Sequence, residues 1–77
     1  AWDDYIYWQL NNKSILRKIN ELLRDIQRNG FDGIGKPEPL RYRNAWSRRI
    51  NHEHRIVYNI EDDGSIYIYS LKGHYED

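Results

Sequence analysis

Apolar side chains divide this chain into a helical half and a strand-forming half. Ile15, Leu16, Ile19, Leu22, Leu23 and Ile26 recur at the spacing that one buried face of an α-helix requires. Lys13, Arg17, Lys18, Glu21, Arg24, Asp25 and Arg28 take the outward face. Asn12 supplies an N-cap and Asn29-Gly30 a left-handed stop, so the pattern predicts a helix between them. Ahead of it, Trp2, Tyr5, Ile6 and Gln9 share one helical face, and Tyr7 and Trp8 widen the stripe. That predicts a short first helix, covered on more than one side and antiparallel to the second.

The helical period stops at Gly30. Gly33, Gly35, Pro37 and Pro39 make Phe31 to Pro39 read as a loop, with Glu38 held near extended geometry between its two prolines. A period of two follows. Trp46, Arg48 and Ile50 alternate with Ser47 and Arg49, and Ile56, Tyr58 and Ile60 alternate with Arg55, Val57 and Asn59. Asp62-Asp63-Gly64 then turns the chain into a β-rich run from Ile66 to Leu71. These segments predict three consecutive strands in an antiparallel meander. If Ile56, Tyr58 and Ile60 face the helices, Arg55 points to the open face. The expected fold class is α+β, two N-terminal helices packed on an antiparallel sheet, with residues 1–77 forming one domain without internal repeats.

Composition narrows the function. A chain of 77 residues buries only about 60% of its unfolded surface, and the three Trp, seven Tyr and one Phe supply the bulky core it needs. The absence of Cys excludes disulfides and thiolate metal sites. No apolar run approaches the roughly 18 residues of a membrane span and nothing resembles a signal peptide, so a cytoplasmic protein is expected. The zero formal net charge argues against nucleic-acid binding through bulk field alone. Its distribution is uneven: Lys36, Arg41, Arg43, Arg48, Arg49 and Arg55 face only Glu38 and Glu53 between Lys36 and Arg55. The acids gather at Asp3-Asp4, Glu61-Asp62-Asp63 and Glu76-Asp77. A basic face that touches phosphate locally fits this pattern.

Cleaving RNA without a metal makes three demands: a base for the ribose 2′-hydroxyl, a cation for the charged phosphorane, and an acid for the leaving 5′-oxygen. Glu38 on the stiff loop, Arg55 on the open face and His74 beyond the last strand are the candidates. Each also has a plainer reading, as a solvated loop carboxylate, a cross-strand ion-pair partner and an exposed terminal histidine. His52-Glu53-His54 invites a zinc reading with His74 as third ligand, but a strand or turn is not the helical H-E-x-x-H that zinc hydrolases use. Gly33-x-Gly35-Lys36 is too short for a phosphate-binding P-loop. No metal or other cofactor is expected.

Several segments resemble the YoeB/Txe-type toxins of the RelE superfamily. They are Trp2-Asp3-Asp4-Tyr5-Ile6-Tyr7-Trp8, Lys18-Ile19-Asn20-Glu21-Leu22-Leu23, Gly33-Ile34-Gly35-Lys36-Pro37-Glu38-Pro39-Leu40, Trp46-Ser47-Arg48-Arg49-Ile50, His54-Arg55-Ile56-Val57-Tyr58 and His74-Tyr75. The resemblance implies a microbial-ribonuclease-like toxin that binds the ribosomal A site and cuts the messenger RNA there. It also implies control by a YefM/Axe-type antitoxin, whose complex with the toxin represses their operon, so that operator DNA is met only through that complex. By this resemblance Glu38 matches the general base, Arg55 the phosphate-stabilising cation and His74 the general acid, with Tyr75 orienting the nucleotide. Lys36, Arg41, Arg48 and Arg49 would support ribosomal or messenger RNA electrostatically. Family members open with a β-strand and carry a longer turn before Trp46. An opening strand and part of a loop near Asn44-Ala45 are therefore expected to be missing from the 77 residues. The rival reading is a ParE-like toxin that acts by association, which the joint presence of Glu38 and His74 disfavours. Exposed aromatic surface is compatible with a homodimer.

Overall fold

Residues 1–74 are described by the structure, a computed structural model. Its elements are α1 (Trp2–Asn11), α2 (Lys13–Asn29), β1 (Glu38–Pro39), β2 (Trp46–Arg49), β3 (Arg55–Ile60) and β4 (Ile66–Ser70). Asn12 alone separates the helices. Its backbone is extended, its N–H donates to Trp8 O at 2.8 Å, and its Oδ1 accepts from Ile15 N at 3.2 Å. One residue thus closes the first helix and caps the second, and Tyr5 Oη donating to Asn20 Oδ1 at 2.9 Å shows α1 doubling back along α2. Gly30 ends α2 at φ 65° and ψ −113°, a positive-φ conformation suited to glycine but not the left-handed helical turn expected, and its N–H donates to Ile26 O at 2.8 Å. No described helix is long and apolar enough to cross a membrane.

Ile19, Leu22 and Ile26 of α2 are fully buried against Ile50, Ile56, Tyr58 and Leu71. From α1 the core takes Trp8, while Trp2 stands 71% exposed, stacked on Tyr5. The broad stripe expected of α1 is therefore narrower than its composition suggests. Trp8 can be buried because its indole Nε1 donates to Leu71 O at 2.9 Å.

The sheet has four antiparallel strands in sequence order, one more than the period of two indicated. Glu38 and Pro39, expected as loop, pair with Ser47 and Trp46. Prolines suit this position because β1 is an edge strand and needs no ladder donor on its outer side. Residues 40–45 close the connection to β2, with Leu40 N donating to Ala45 O at 2.9 Å. Cross-strand partners share a face. Trp46, Tyr58 and Ile68 form one row and Arg48 and Ile56 the next, both turned to the helices. Glu38, Ser47 and Val57, Arg49 and Arg55, and Asn59 and Tyr67 form rows on the opposite face.

Arg48 overturns an expectation. Its charge and the family resemblance suggest an RNA-contacting cation, but its side chain has no exposed surface. Nε donates to Tyr58 Oη at 3.1 Å; Nη1 donates to Asp25 Oδ2 at 2.5 Å and Ile34 O at 3.0 Å. Nη2 donates to Gly30 O at 2.8 Å and also to Asp32 O. This guanidinium ties the loop after α2 to the sheet and has no donor left for RNA. A side chain at position 33 would lie 2.0 Å from Asp25 Oδ2, so Gly33 leaves room for the pair. The hydrogen bond from Arg48 holds the Asp25 carboxyl below its ordinary value, helped by Ile34 N and opposed by burial. Burial pushes Arg48 down, but its bonds to Tyr58 and Asp25 leave it raised.

Replacing Arg48 by Met should leave the Asp32 and Ile34 carbonyls without this donor, while Gly30 O keeps the Tyr58 hydroxyl. These acceptors are part-buried, so each lost bond costs about 1 kcal/mol, and the melting temperature should fall by about 5–15 °C in calorimetry. Because the folded Asp25 is a stronger acid than the unfolded one, its stabilisation is present above the ordinary aspartate value, about 3.9, and disappears as pH falls through the folded value. The variant should lose that part of the acid dependence. A melting temperature within about 2 °C of the parent at neutral pH would show that Arg48 is not the tie described.

Candidate active site

The sheet face turned away from the helices collects charged residues through strand register. Glu38 is exposed on β1 directly opposite Ser47. Ser47 is buried, and its Oγ accepts from Arg55 Nη1 at 3.3 Å. Arg55 begins β3, half-buried, as the parity of Ile56, Tyr58 and Ile60 required. Its backbone N–H donates to Gly73 O at 3.0 Å, so the chain beyond β4 returns along the start of β3. His74 follows Gly73 and is exposed at this same corner. Residues 38, 55 and 74 are far apart in sequence, yet one line of contacts links their elements: Glu38 to Ser47, Ser47 to Arg55, Arg55 to Gly73.

Arg49 lies directly across from Arg55. Like charges opposed on a strand pair are unfavourable by themselves. Among the described residues, neither guanidinium has a carboxylate within ion-pair distance. The corner therefore presents two cations beside one carboxylate, suited to an anion with a proton to lose close by. Gly35 O accepts from Arg49 N at 2.7 Å, which brings the following Lys36, exposed and at φ 53°, to the same end of the sheet. A side chain at Gly35 would be strained by its φ of 83° and crowded, since a Cβ would meet Leu22 Cδ2 at 2.9 Å and Arg49 O at 3.2 Å. Arg41 is exposed in the β1–β2 connection, its guanidinium 5.9 Å over the Tyr42 ring. Tyr75 lies outside the described residues.

His54, a candidate metal ligand by sequence, has a structural place instead. Its Nδ1 accepts from Gly73 N at 2.9 Å, and its ring meets Trp8 edge-on at 4.7 Å. A nitrogen that accepts this bond is not offered to a metal. Among the described residues, no three His, Cys, Asp or Glu side chains are grouped to hold one. His52 is exposed in the turn between β2 and β3. The segment next to His74 is fastened further by α1. Leu71 N donates to Asp4 Oδ2 at 3.0 Å, and Lys72 Nζ stands 3.7 Å over the Tyr7 ring. Sequence reasoning missed Ser47 and His54 as supports. Their adjacency to Arg48 and Arg55 was the only hint, because the partners come from register.

Known proteins share this arrangement of elements. The sequence model of the YoeB-like toxin of bacterial type II toxin–antitoxin systems matches residues 1–75. Toxin YoeB of Escherichia coli K12 is 52% identical, the match covering 97% of this chain and 90% of the relative. The chain superposes on a YoeB–YefM complex from Staphylococcus aureus with a TM-score of 0.90 at 55% identity, covering 97% of this chain and 88% of that one. A structure described as the YoeB dimer from the same organism gives a TM-score of 0.88 at 55% identity, with the same two coverages.

Proposed function

The chain belongs to the YoeB-like toxin family of bacterial type II toxin–antitoxin systems, and we propose that it is a ribosome-dependent endoribonuclease that cuts messenger RNA in the A site without a metal. The observation that carries this reading is the corner where register and the Arg55–Gly73 bond unite Glu38, Arg55 and the segment leading to His74. Glu38 takes the proton of the ribose 2′-hydroxyl as it attacks the adjacent phosphorus. Arg55, with Arg49 and Lys36 close by, stabilises the charge that grows on the equatorial oxygens. His74 gives a proton to the departing 5′-oxygen, and Tyr75 orients the nucleotide. Arg41 adds attraction for RNA from the neighbouring loop.

A YefM-type antitoxin is the partner this reading implies, since a YoeB–YefM complex has this fold. A homodimer is implied likewise by the solved YoeB dimer. The complex with antitoxin binds operator DNA and represses its own operon, and the toxin acts in the cytoplasm, where ribosomes are. Primer extension on messengers in a translating extract should reveal new 5′ ends within codons, and the same RNA without ribosomes should stay whole. Intact messengers together with loss of gyrase supercoiling would instead identify a toxin that acts by association.

A further inference from the structure

The open face continues past the catalytic corner into an aromatic pair that the proposed reaction leaves unused. β3 and β4 slip register between Val57 and Tyr58: Val57 opposes Ser70, whereas Tyr58 opposes Ile68, which leaves Tyr69 as the extra residue of a bulge. Tyr67 and Tyr69 lie side by side, ring centroids 4.8 Å apart, with Tyr67 54% exposed. Arg43 reaches in from the β1–β2 connection and places its guanidinium 4.1 Å over the Tyr69 ring. Asn59, the cross-strand partner of Tyr67, shares this face with Arg55 four positions earlier, about 13 Å along the strand.

Aromatic faces and a guanidinium beside them are what unpaired bases and their phosphates recognise: rings stack on bases of any identity, and the cation follows the backbone. Arg49, Arg55, Asn59 and Tyr67 stand on one sheet face, so a strand engaged at the corner meets the tyrosines within a few nucleotides. Beyond Tyr67 the turn carries Glu61, Asp62 and Asp63, all exposed, which repel phosphate and end the track. We infer that the exposed ring of Tyr67, supported by Tyr69 with Arg43 over its face, forms a stacking platform for nucleobases of single-stranded RNA beside the scissile bond. The inference rests on the reading of RNA as substrate, and it names where that substrate is gripped away from the reacting atoms.

The test pairs protein and RNA changes. Tyr67→Ala and Tyr69→Ala, each with its Phe counterpart, are assayed for cleavage of a ribosome-bound messenger carrying one abasic nucleotide, scanned over three positions on each side of the cut. With intact RNA, each Ala variant should raise KM by about 5- to 150-fold, the range expected for one lost base–aromatic stack, with little change in kcat, and Phe should restore it. At one or two positions the abasic site should weaken the parent enzyme to the same degree and add nothing to the Ala variant. Thermal melting and antitoxin binding are measured in parallel. Ala variants that cleave like the parent, or lose antitoxin affinity while keeping RNA affinity, overturn the platform, as does an abasic scan whose losses simply add to those of Ala. A parent enzyme that cuts no messenger at all refutes the ribonuclease reading instead.

Discussion

A messenger whose nucleotide 5′ to the cut carries hydrogen in place of the 2′-hydroxyl should not be cleaved at that bond, while toxin binding to the ribosome is unchanged. The expectation follows from what the corner offers. It holds a carboxylate and cations, with His74 at its edge, and the Nδ1 of the neighbouring His54 accepts from Gly73 N. Activating a water nucleophile at neutral pH ordinarily falls to a bound metal ion. The ribose instead carries its nucleophile attached to the substrate, already next to phosphorus, and such intramolecular placement is worth effective molarities of about 10⁵–10⁸ M. The products should then be a 2′,3′-cyclic phosphate, opening to a 3′-phosphate, and a 5′-hydroxyl. Mass spectrometry of a single-turnover digest reads both ends. A cut at the deoxy position, or a 5′-phosphate, would sink the mechanism.

Glu38→Gln should lower kcat by about 10²–10⁴-fold, the usual contribution of a positioned general base. The substitution keeps size and hydrogen-bonding capacity on an exposed two-residue edge strand, so little of the core depends on it. Melting temperature and antitoxin affinity should match the parent. KM should change little, because the lost interaction acts on a proton that moves only in the transition state. Single-turnover cleavage beside a melting curve checks both halves of the expectation. A variant that retains near-full kcat removes Glu38 from the chemistry. One that melts early would show that β1 has a structural burden its exposure does not suggest.

The α2 helix was fully legible, since six apolar positions, an Asn cap and a Gly stop agree on one answer. The strands from Trp46 onward were legible for the same reason, and the parity of β3 located Arg55 correctly. Arg48 shows how one signal can be overruled wrongly by another. Its alternation with Ser47 and Arg49 put it on the Trp46 and Ile50 side, yet its charge suggested solvent. The Tyr58 hydroxyl, Asp25 and three backbone carbonyls that make burial tolerable are brought together only by tertiary structure. β1 was missed because two residues cannot display a period. Glu38, Arg55 and His74 could be nominated by chemical type, but their common corner depends on the Glu38–Ser47 register and the return of Gly73 to Arg55. The Tyr67–Tyr69 pair was concealed by a bulge that no local pattern announces.

The bonds from α1 to Leu71 bear on how this protein is made. Asp4 to Leu71 and Trp8 to Leu71 span 67 and 63 residues, nearly the whole described chain. During synthesis the N-terminal part leaves the ribosome first and α1 can pack on α2, but the Trp8 indole has no acceptor and Asp4 no Leu71 N–H until Leu71 has emerged. Contacts of such long sequence separation form late and slowly. On any nascent chain that has not yet released residue 73, the corner that holds Arg55 against Gly73 therefore stays open.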